Sequence, residues 1–292
     1  MERSRRLLDR WPIYYWRRYP LMLAANGFKP RLLQQIPKSA IQQALQLGYL
    51  RWTRALAPWC RGKDVIDVGC GMGLHGVGFL LEGAKTYVGI DPEVKPRSAV
   101  IKDQHNGQRV DCGWTPEQLM HACPRFEMIR GLSNQLEGKR TFDFAALHNA
   151  TEHLTDLAGV LGSIRRLLRP GGTLVFNHHN WYCWNGHHQQ PKTVKKIIPG
   201  DSTQSPYIDW AHLTTQHPPE SYVMTKLNRH SMAEVRSITQ AAGFEIQVWQ
   251  PTRSTEEQGV DRLTDAIRKM HPHLTEADFT TQNIFVVARL KS

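Results

Sequence analysis

An α/β fold built on a doubly wound, mostly parallel sheet is predicted by three observations. Short apolar runs of strand length alternate with segments of helical periodicity along most of the 292 residues. The first such run empties into a turn rich in glycine, Gly69-Cys70-Gly71-Met72-Gly73. The last two runs follow each other with little helix between them, which predicts an antiparallel edge.

The elements follow in order. Ile41, Ala44, Leu45, Tyr49, Trp52 and Leu56 recur at helical spacing, so residues 38–60 predict a helix leading into the first strand, Asp64–Val68. A helix is expected over His75–Glu82 and a strand over Thr86–Ile90. Thr115-Pro116-Glu117 opens a helix over 115–123, because a threonine cap followed by proline suits a helix start. Phe126–Ile129 and Phe142–Leu147 read as the third and fourth strands. Asp156–Leu168 reads as a helix stopped by Arg169-Pro170-Gly171-Gly172, and Thr173–Phe176 as the fifth strand. Residues 178–229 are polar and rich in Pro, His and Trp. That stretch is too long for a plain connection and is expected to be an insertion or lid over an acceptor site. A helix over Met232–Ala242, a strand over Phe244–Trp249, an acidic and polar link, and a strand over Ile284–Leu290 complete the chain.

Val65-Ile66-Asp67-Val68-Gly69-Cys70-Gly71-Met72-Gly73 is the most informative stretch. Glycines permit positive φ and let the backbone approach a ligand. Asp91, twenty residues after Gly71 at the end of the second strand, can accept hydrogen bonds from both hydroxyls of a ribose. Gly71-Met72-Gly73-Leu74-His75-Gly76 also satisfies the GxGxxG dinucleotide pattern. Asp67 favours a nucleoside without a pyrophosphate, since an acid two residues before the first glycine would be badly placed beside phosphates.

These residues, with Gly89-Ile90-Asp91-Pro92, resemble the S-adenosylmethionine site of class I methyltransferases. Arg169-Pro170-Gly171-Gly172 resembles that family's turn into its fifth strand, and Asn228-Arg229-His230 with Ala242-Gly243-Phe244 resembles its C-terminal third. The resemblance covers roughly 60–180 and 228–292. It implies a Rossmann-like seven-stranded sheet with an antiparallel last strand, and a methyltransferase domain over 38–292. It implies that Asp67, Gly69, Cys70, Gly71 and Gly73 hold the methionine part and that Asp91, beside Pro92, holds the ribose. The acid usual after the third strand is replaced by Arg130-Gly131-Leu132-Ser133-Asn134, so Ser133 or Asn134 is expected on the adenine side.

Ligands of such sheets lie outside the carboxyl ends of the strands. His148 follows the fourth strand, and His178 and His179 follow the fifth. All three are candidates for the base that deprotonates an acceptor hydroxyl, with His148 also at the cofactor. Adjacent side chains of a strand point to opposite faces, so only one of His178 and His179 is expected to enter a pocket. Glu152-His153 resembles the Glu-His pair of methyltransferases that bind a divalent ion through ExxEH. Here the first acid is missing, and a third ligand from 178–188 would be needed. Trp181, Tyr182, Trp184, His187, His188, Trp210 and His212 are candidates for acceptor contact. Buried anchoring of the same loop is the plainer reading of most of them.

Composition is that of an ordinary globular chain. Five cysteines without CxxC pairing fit a reducing compartment, and no apolar run is long enough to span a membrane, so a cytoplasmic protein is expected. Of the net charge of +11, residues 1–62 hold +10 (twelve Lys/Arg against two acids), leaving +1 for the rest. Residues 1–37 form a basic arm with Trp11, Tyr14, Tyr15, Trp16 and Tyr19, which suits peripheral contact with an anionic membrane or packing on the main domain. The near-neutral body disfavours nucleic acid as a partner. Three function classes follow: O-methylation of a small molecule, saccharide or lipid-linked glycan; methylation of RNA; and a non-catalytic cofactor-binding module.

Overall fold

The computed structural model describes residues 40, 44, 47–102, 108–111 and 114–291. The expected basic arm and its membrane contact lie outside the described residues. A seven-stranded sheet forms the frame: β1 (Asp64–Val68), β2 (Thr86–Asp91), β5 (Phe126–Arg130), β6 (Phe142–Leu147), β7 (Leu168–His179), β8 (Phe244–Arg253) and β9 (Thr281–Leu290). Their order is β5-β2-β1-β6-β7-β9-β8. β1 pairs parallel with β2, and β2 with β5. A hairpin of β3 (Val100–Lys102) and β4 (Arg109–Asp111), unforeseen from the sequence, stands apart from it.

The antiparallel strand is not the edge. β9 inserts between β7 and β8 and pairs antiparallel with both. Its side chains are buried at Ile284, Val286, Val287 and Ala288, whereas β8 is largely open on its outer side. The apolar run of β9 is therefore that of an interior strand, and the edge falls to the more polar β8.

The chain divides into two compact units, Met1–Leu136 with Phe142–Ala145 and Glu137–Thr141 with Ala146–Ser292. In the first, α1 (Leu50–Ala55) follows a turn at Gly48, whose φ of +81° interrupts the continuous helix expected over 38–60. α2 (Leu74–Leu81) starts at Gly73 and is buried all along its length. α3 (Pro116–Ala122) has the capping box of Thr115 and Gln118.

In the second unit α4 (Leu157–Leu167) is capped by Asp156, whose carboxylate accepts from Gly159 N–H. α5 (Met232–Ala241) carries a capping box of Ser231 and Glu234. The link before β9 holds two short helices the sequence pattern did not reveal, α6 (Asp265–Met270) and α7 (Glu276–Thr280). Strand β7 runs through His178 and His179, so the irregular segment begins at Asn180 rather than at 178.

Candidate active site

The first unit holds the donor-side residues. Gly69, Gly71 and Gly73 have φ of +75°, +57° and +75°, a left-handed path that other residues adopt only with strain. The loop brings the two predicted ends together: Asp91 Oδ2 accepts from Gly71 N–H at 3.0 Å, while Oδ1 accepts from Glu93 N–H at 2.7 Å. A Cβ on Gly71 would meet nothing within 4 Å, so the loop leaves open space there. A Cβ on Gly73 would stand 2.3 Å from Met128 Sδ.

Asp67 is buried at 1% exposure. Its Oδ2 accepts from the Tyr87 hydroxyl at 2.8 Å, and Oδ1 has no partner. Burial pushes its carboxyl up to about 7, against the Tyr87 hydrogen bond, which lowers it. Tyr87 is a functional residue the sequence reading missed. In the β1–β2 register Asp67 lies opposite Gly89, and Tyr87 stands two residues earlier on the same face. Gly89 keeps that face clear, since a Cβ there would stand 2.9 Å from the Tyr87 hydroxyl and 2.8 Å from Cys70 Sγ. A tyrosine and a glycine two apart, beside a strand-end acid, were the signal available. Cys70 and Ser133 are buried, whereas Pro92 and Asn134 are exposed.

The second unit holds the histidines. Burial pushes the half-buried His148 down to about 4 and His178 and His179 down to about 3, so all three are neutral near pH 7. His178 is fully buried; Nδ1 meets Thr151 Oγ1 at 3.1 Å, and Nε2 has no partner. At 1% exposure this ring is shut off from solvent, which counts against its reading as a base. His179 Nδ1 meets His188 Nε2 at 2.9 Å, and the rings of His188 and His153 stand edge to face at 5.3 Å.

Glu152 and His153 occupy a short turn, Thr151–His153. His153 Nδ1 donates to the Lys226 carbonyl at 2.8 Å, which places its lone pair on Nε2, 4.0 Å from Glu152 Oε1. Burial pushes the Glu152 carboxyl up to about 7. Asn228, unforeseen as a site residue, clamps this turn: its Nδ2 donates to the Thr151 and Leu154 carbonyls and its N–H to that of Glu152. Among the described residues no three His, Cys, Asp or Glu side chains are grouped to hold a metal ion. The facial site expected from Glu152, His153 and a histidine of 178–188 is not assembled there.

The aromatic candidates are corrected by their burial. Trp184 and Trp210 form a core with Ile267 and Phe279, and Trp181 packs with Val223 and Leu227. Trp210 Nε1 donates to the Tyr182 carbonyl, and Trp184 Nε1 to Asp209, which Arg262 also binds. His187 and His212 are buried; burial lowers them to about 2 and about 3. Asn180 pins the start of this segment by donating to the Asp278 and Thr281 carbonyls. Segment 180–229 thus packs partly on the 262–281 region and partly on itself, with no exposed indole face for a sugar. Tyr182 and His188 alone of these candidates remain half-buried.

A family model described as a methyltransferase domain matches residues 41–248, more than half of the chain. The chain belongs to the methyltransferase-domain family. The family's cofactor is S-adenosylmethionine, and the residues of the glycine turn leave room for it: Asp67 keeps a buried oxygen without a partner, the Gly71 turn is open, and Asp91 offers a carboxylate. The chain resembles the ubiquinone biosynthesis O-methyltransferase of Dechloromonas aromatica (strain RCB), at 32% identity over 120 residues, 41% of this chain and 45% of that one. It also resembles the tRNA U34 carboxymethyltransferase of Methylococcus capsulatus, at 30% identity over 132 residues, 43% and 36% of the two chains. A solved S-adenosylmethionine dependent methyltransferase from Mesorhizobium loti shares the fold, with a TM-score of 0.50 and 19% identity over 82% of this chain and 95% of that one. The chain spans about half the length of the ubiquinone-biosynthesis relatives it matches. No described helix is long and apolar enough to cross a membrane.

Proposed function

We propose that this chain transfers the methyl group of S-adenosylmethionine to a hydroxyl oxygen of a small molecule. The observation that carries the reading is Asp67, buried with one oxygen unpartnered at the foot of a left-handed glycine turn. When bound, the cofactor supplies a methyl group on a sulfonium, whose leaving group departs neutral. Asp67 would hold the amine, and the cation would keep its carboxylate ionised. Asp91 would exchange the Gly71 N–H for ribose hydroxyls. On the acceptor side, the tautomer with His179 Nδ1–H donating to His188 Nε2 leaves the His179 Nε2 lone pair to take the hydroxyl proton. The Nδ1 proton then passes to His188. Burial keeps His179 uncharged before the transfer.

Oxygen and a small acceptor are supported by the relatives named for ubiquinone biosynthesis. The burial of Trp184 and Trp210 removes the main support for a saccharide. The +1 charge of residues 63–292 gives little support to RNA. The test is incubation of the full chain with labelled S-adenosylmethionine and cell extract split into small-metabolite, lipid and RNA fractions. Label is expected in small metabolites, at oxygen; label confined to RNA would refute the reading.

A further inference from the structure

From the first unit we infer that Tyr87 is a positioning residue for the donor: its hydroxyl holds one oxygen of Asp67 and leaves the other for the ammonium group of S-adenosylmethionine. This deepens the function proposed above and rests on it. The Tyr87 hydroxyl donates to Asp67 Oδ2 at 2.8 Å, and Oδ1 is buried without a partner. An acceptor oxygen left unpaired in a side chain that is 1% exposed is costly unless a donor arrives there. An ammonium group meets that need with charge as well as a hydrogen bond.

The ring that carries the hydroxyl is locked. Tyr87 is fully buried and stacks on Phe79 at 6.0 Å and on Phe126 at 5.2 Å. Two glycines make room for it. A Cβ on Gly76 of α2 would stand 2.3 Å from Tyr87 Cε1, and one on Gly89 would stand 2.9 Å from the hydroxyl. The last glycine of the GxGxxG pattern thus clears space for this ring. A phenylalanine would fill the same space. What the tyrosine adds is one hydrogen bond, and it ends on Asp67.

The titratable groups that act on Asp67 are Tyr87 and Asp91 of β2 and Cys70 of the turn, none of them a cation. On α2 the one titratable side chain, His75, turns its Nδ1 to the Tyr49 carbonyl. On β6, Asp143 accepts from Asp64 N–H at the opposite end of β1. Burial raises the Asp67 carboxyl to about 7, Asp91 adding to the rise, and the Tyr87 hydrogen bond opposes it. A donor that needs the ionised carboxylate is therefore lost as pH falls through that value. Without the hydroxyl the loss begins at higher pH.

The test is calorimetric titration of the full chain between pH 5.5 and 8 with two probes, S-adenosylhomocysteine and 5′-methylthioadenosine, which lacks the amine and the carboxylate. In the parent, S-adenosylhomocysteine affinity is expected to fall up to tenfold per pH unit below about 7, while 5′-methylthioadenosine shows no such fall. Tyr87→Phe should weaken S-adenosylhomocysteine about tenfold at pH 7 and move the acid limb up by about one pH unit, leaving 5′-methylthioadenosine unchanged. The ligand's own amine titrates alike in both proteins, so their difference isolates Asp67. Thermal unfolding checks the fold; should Tyr87→Phe unfold, replacement of Tyr87 by 3-fluorotyrosine, a stronger donor, must move the limb to lower pH. Coincident limbs in parent and variant, a parent affinity flat with pH, or an equal loss with 5′-methylthioadenosine would overturn the inference. A parent that binds neither probe overturns both the inference and the function beneath it. A chain that binds S-adenosylhomocysteine and transfers label keeps that function even where the limbs coincide.

Discussion

His212 offers a direct measure of how this protein responds to acid. The ring is 1% exposed; Nε2 donates to the Trp181 carbonyl at 3.0 Å, and Nδ1 has no partner. The charged groups felt by the ring are His217, His271 and Arg229, with His187 packed against it at 5.1 Å; no carboxylate offsets a proton there. Burial lowers its pKa to about 3, far below the ordinary value. A histidine depressed in this way contributes stability that is complete above about pH 6.5 and lost as the unfolded chain takes up a proton that the folded one refuses. Between pH 7.5 and 5.5 the loss is about 1 kcal/mol for one such histidine. The figure requires only that the folded pKa lie well below 5.5. Asp67 and Glu152, raised to about 7, act in the opposite sense, because their folded forms keep protons that the unfolded chain releases. The comparison must therefore be between parent and variant. His212→Gln retains a donor toward Trp181 and does not titrate. Urea unfolding at both pH values should show the parent losing about 1 kcal/mol relative to the variant on acidification. A difference independent of pH, or one that moves the other way, would refute the reasoning.

Asp91→Ala removes the acceptor expected to hold the ribose; with about 1.5–3 kcal/mol for a hydrogen bond to a charged group, calorimetry should show S-adenosylmethionine affinity falling at least tenfold. Gly73→Ala drives a Cβ into Met128 as well as straining φ, and should cost about 2–4 kcal/mol in chemical unfolding. Gly71→Ala meets only the conformational strain, about 1–2 kcal/mol, and should fold yet bind S-adenosylhomocysteine more weakly because it fills the open turn. Asn228→Ala leaves the Thr151 and Leu154 carbonyls without their side-chain donor and should cost about 1–3 kcal/mol, while donor affinity by calorimetry stays unchanged.

The alternation of strand and helix, the glycine turn and the acid Asp91 at the end of the second strand were all legible in the residue order. Each depends on local periodicity or on a conformation only glycine adopts easily. Helix starts at Thr115, Asp156 and Ser231 were legible for a similar reason: a cap and the amides it satisfies are neighbours in the chain. Tyr87 was not, because its hydroxyl reaches Asp67 across a register of parallel strands. Nor was Asn228, whose partners lie more than seventy residues away.

By itself, then, the sequence determined the architecture and the donor-side turn, since hydrophobic period and backbone permission are written residue by residue. Tertiary structure alone decided the meaning of the histidines and tryptophans after β7. The same aromatic residue serves as a ligand face when open and as core when covered. Contacts with residues 262–281, far along the chain, buried Trp184 and Trp210, while Trp181, Tyr207 and each other cover His187 and His212. Burial is a sum over such distant neighbours, and it sets both which ring can meet a ligand and which can take a proton.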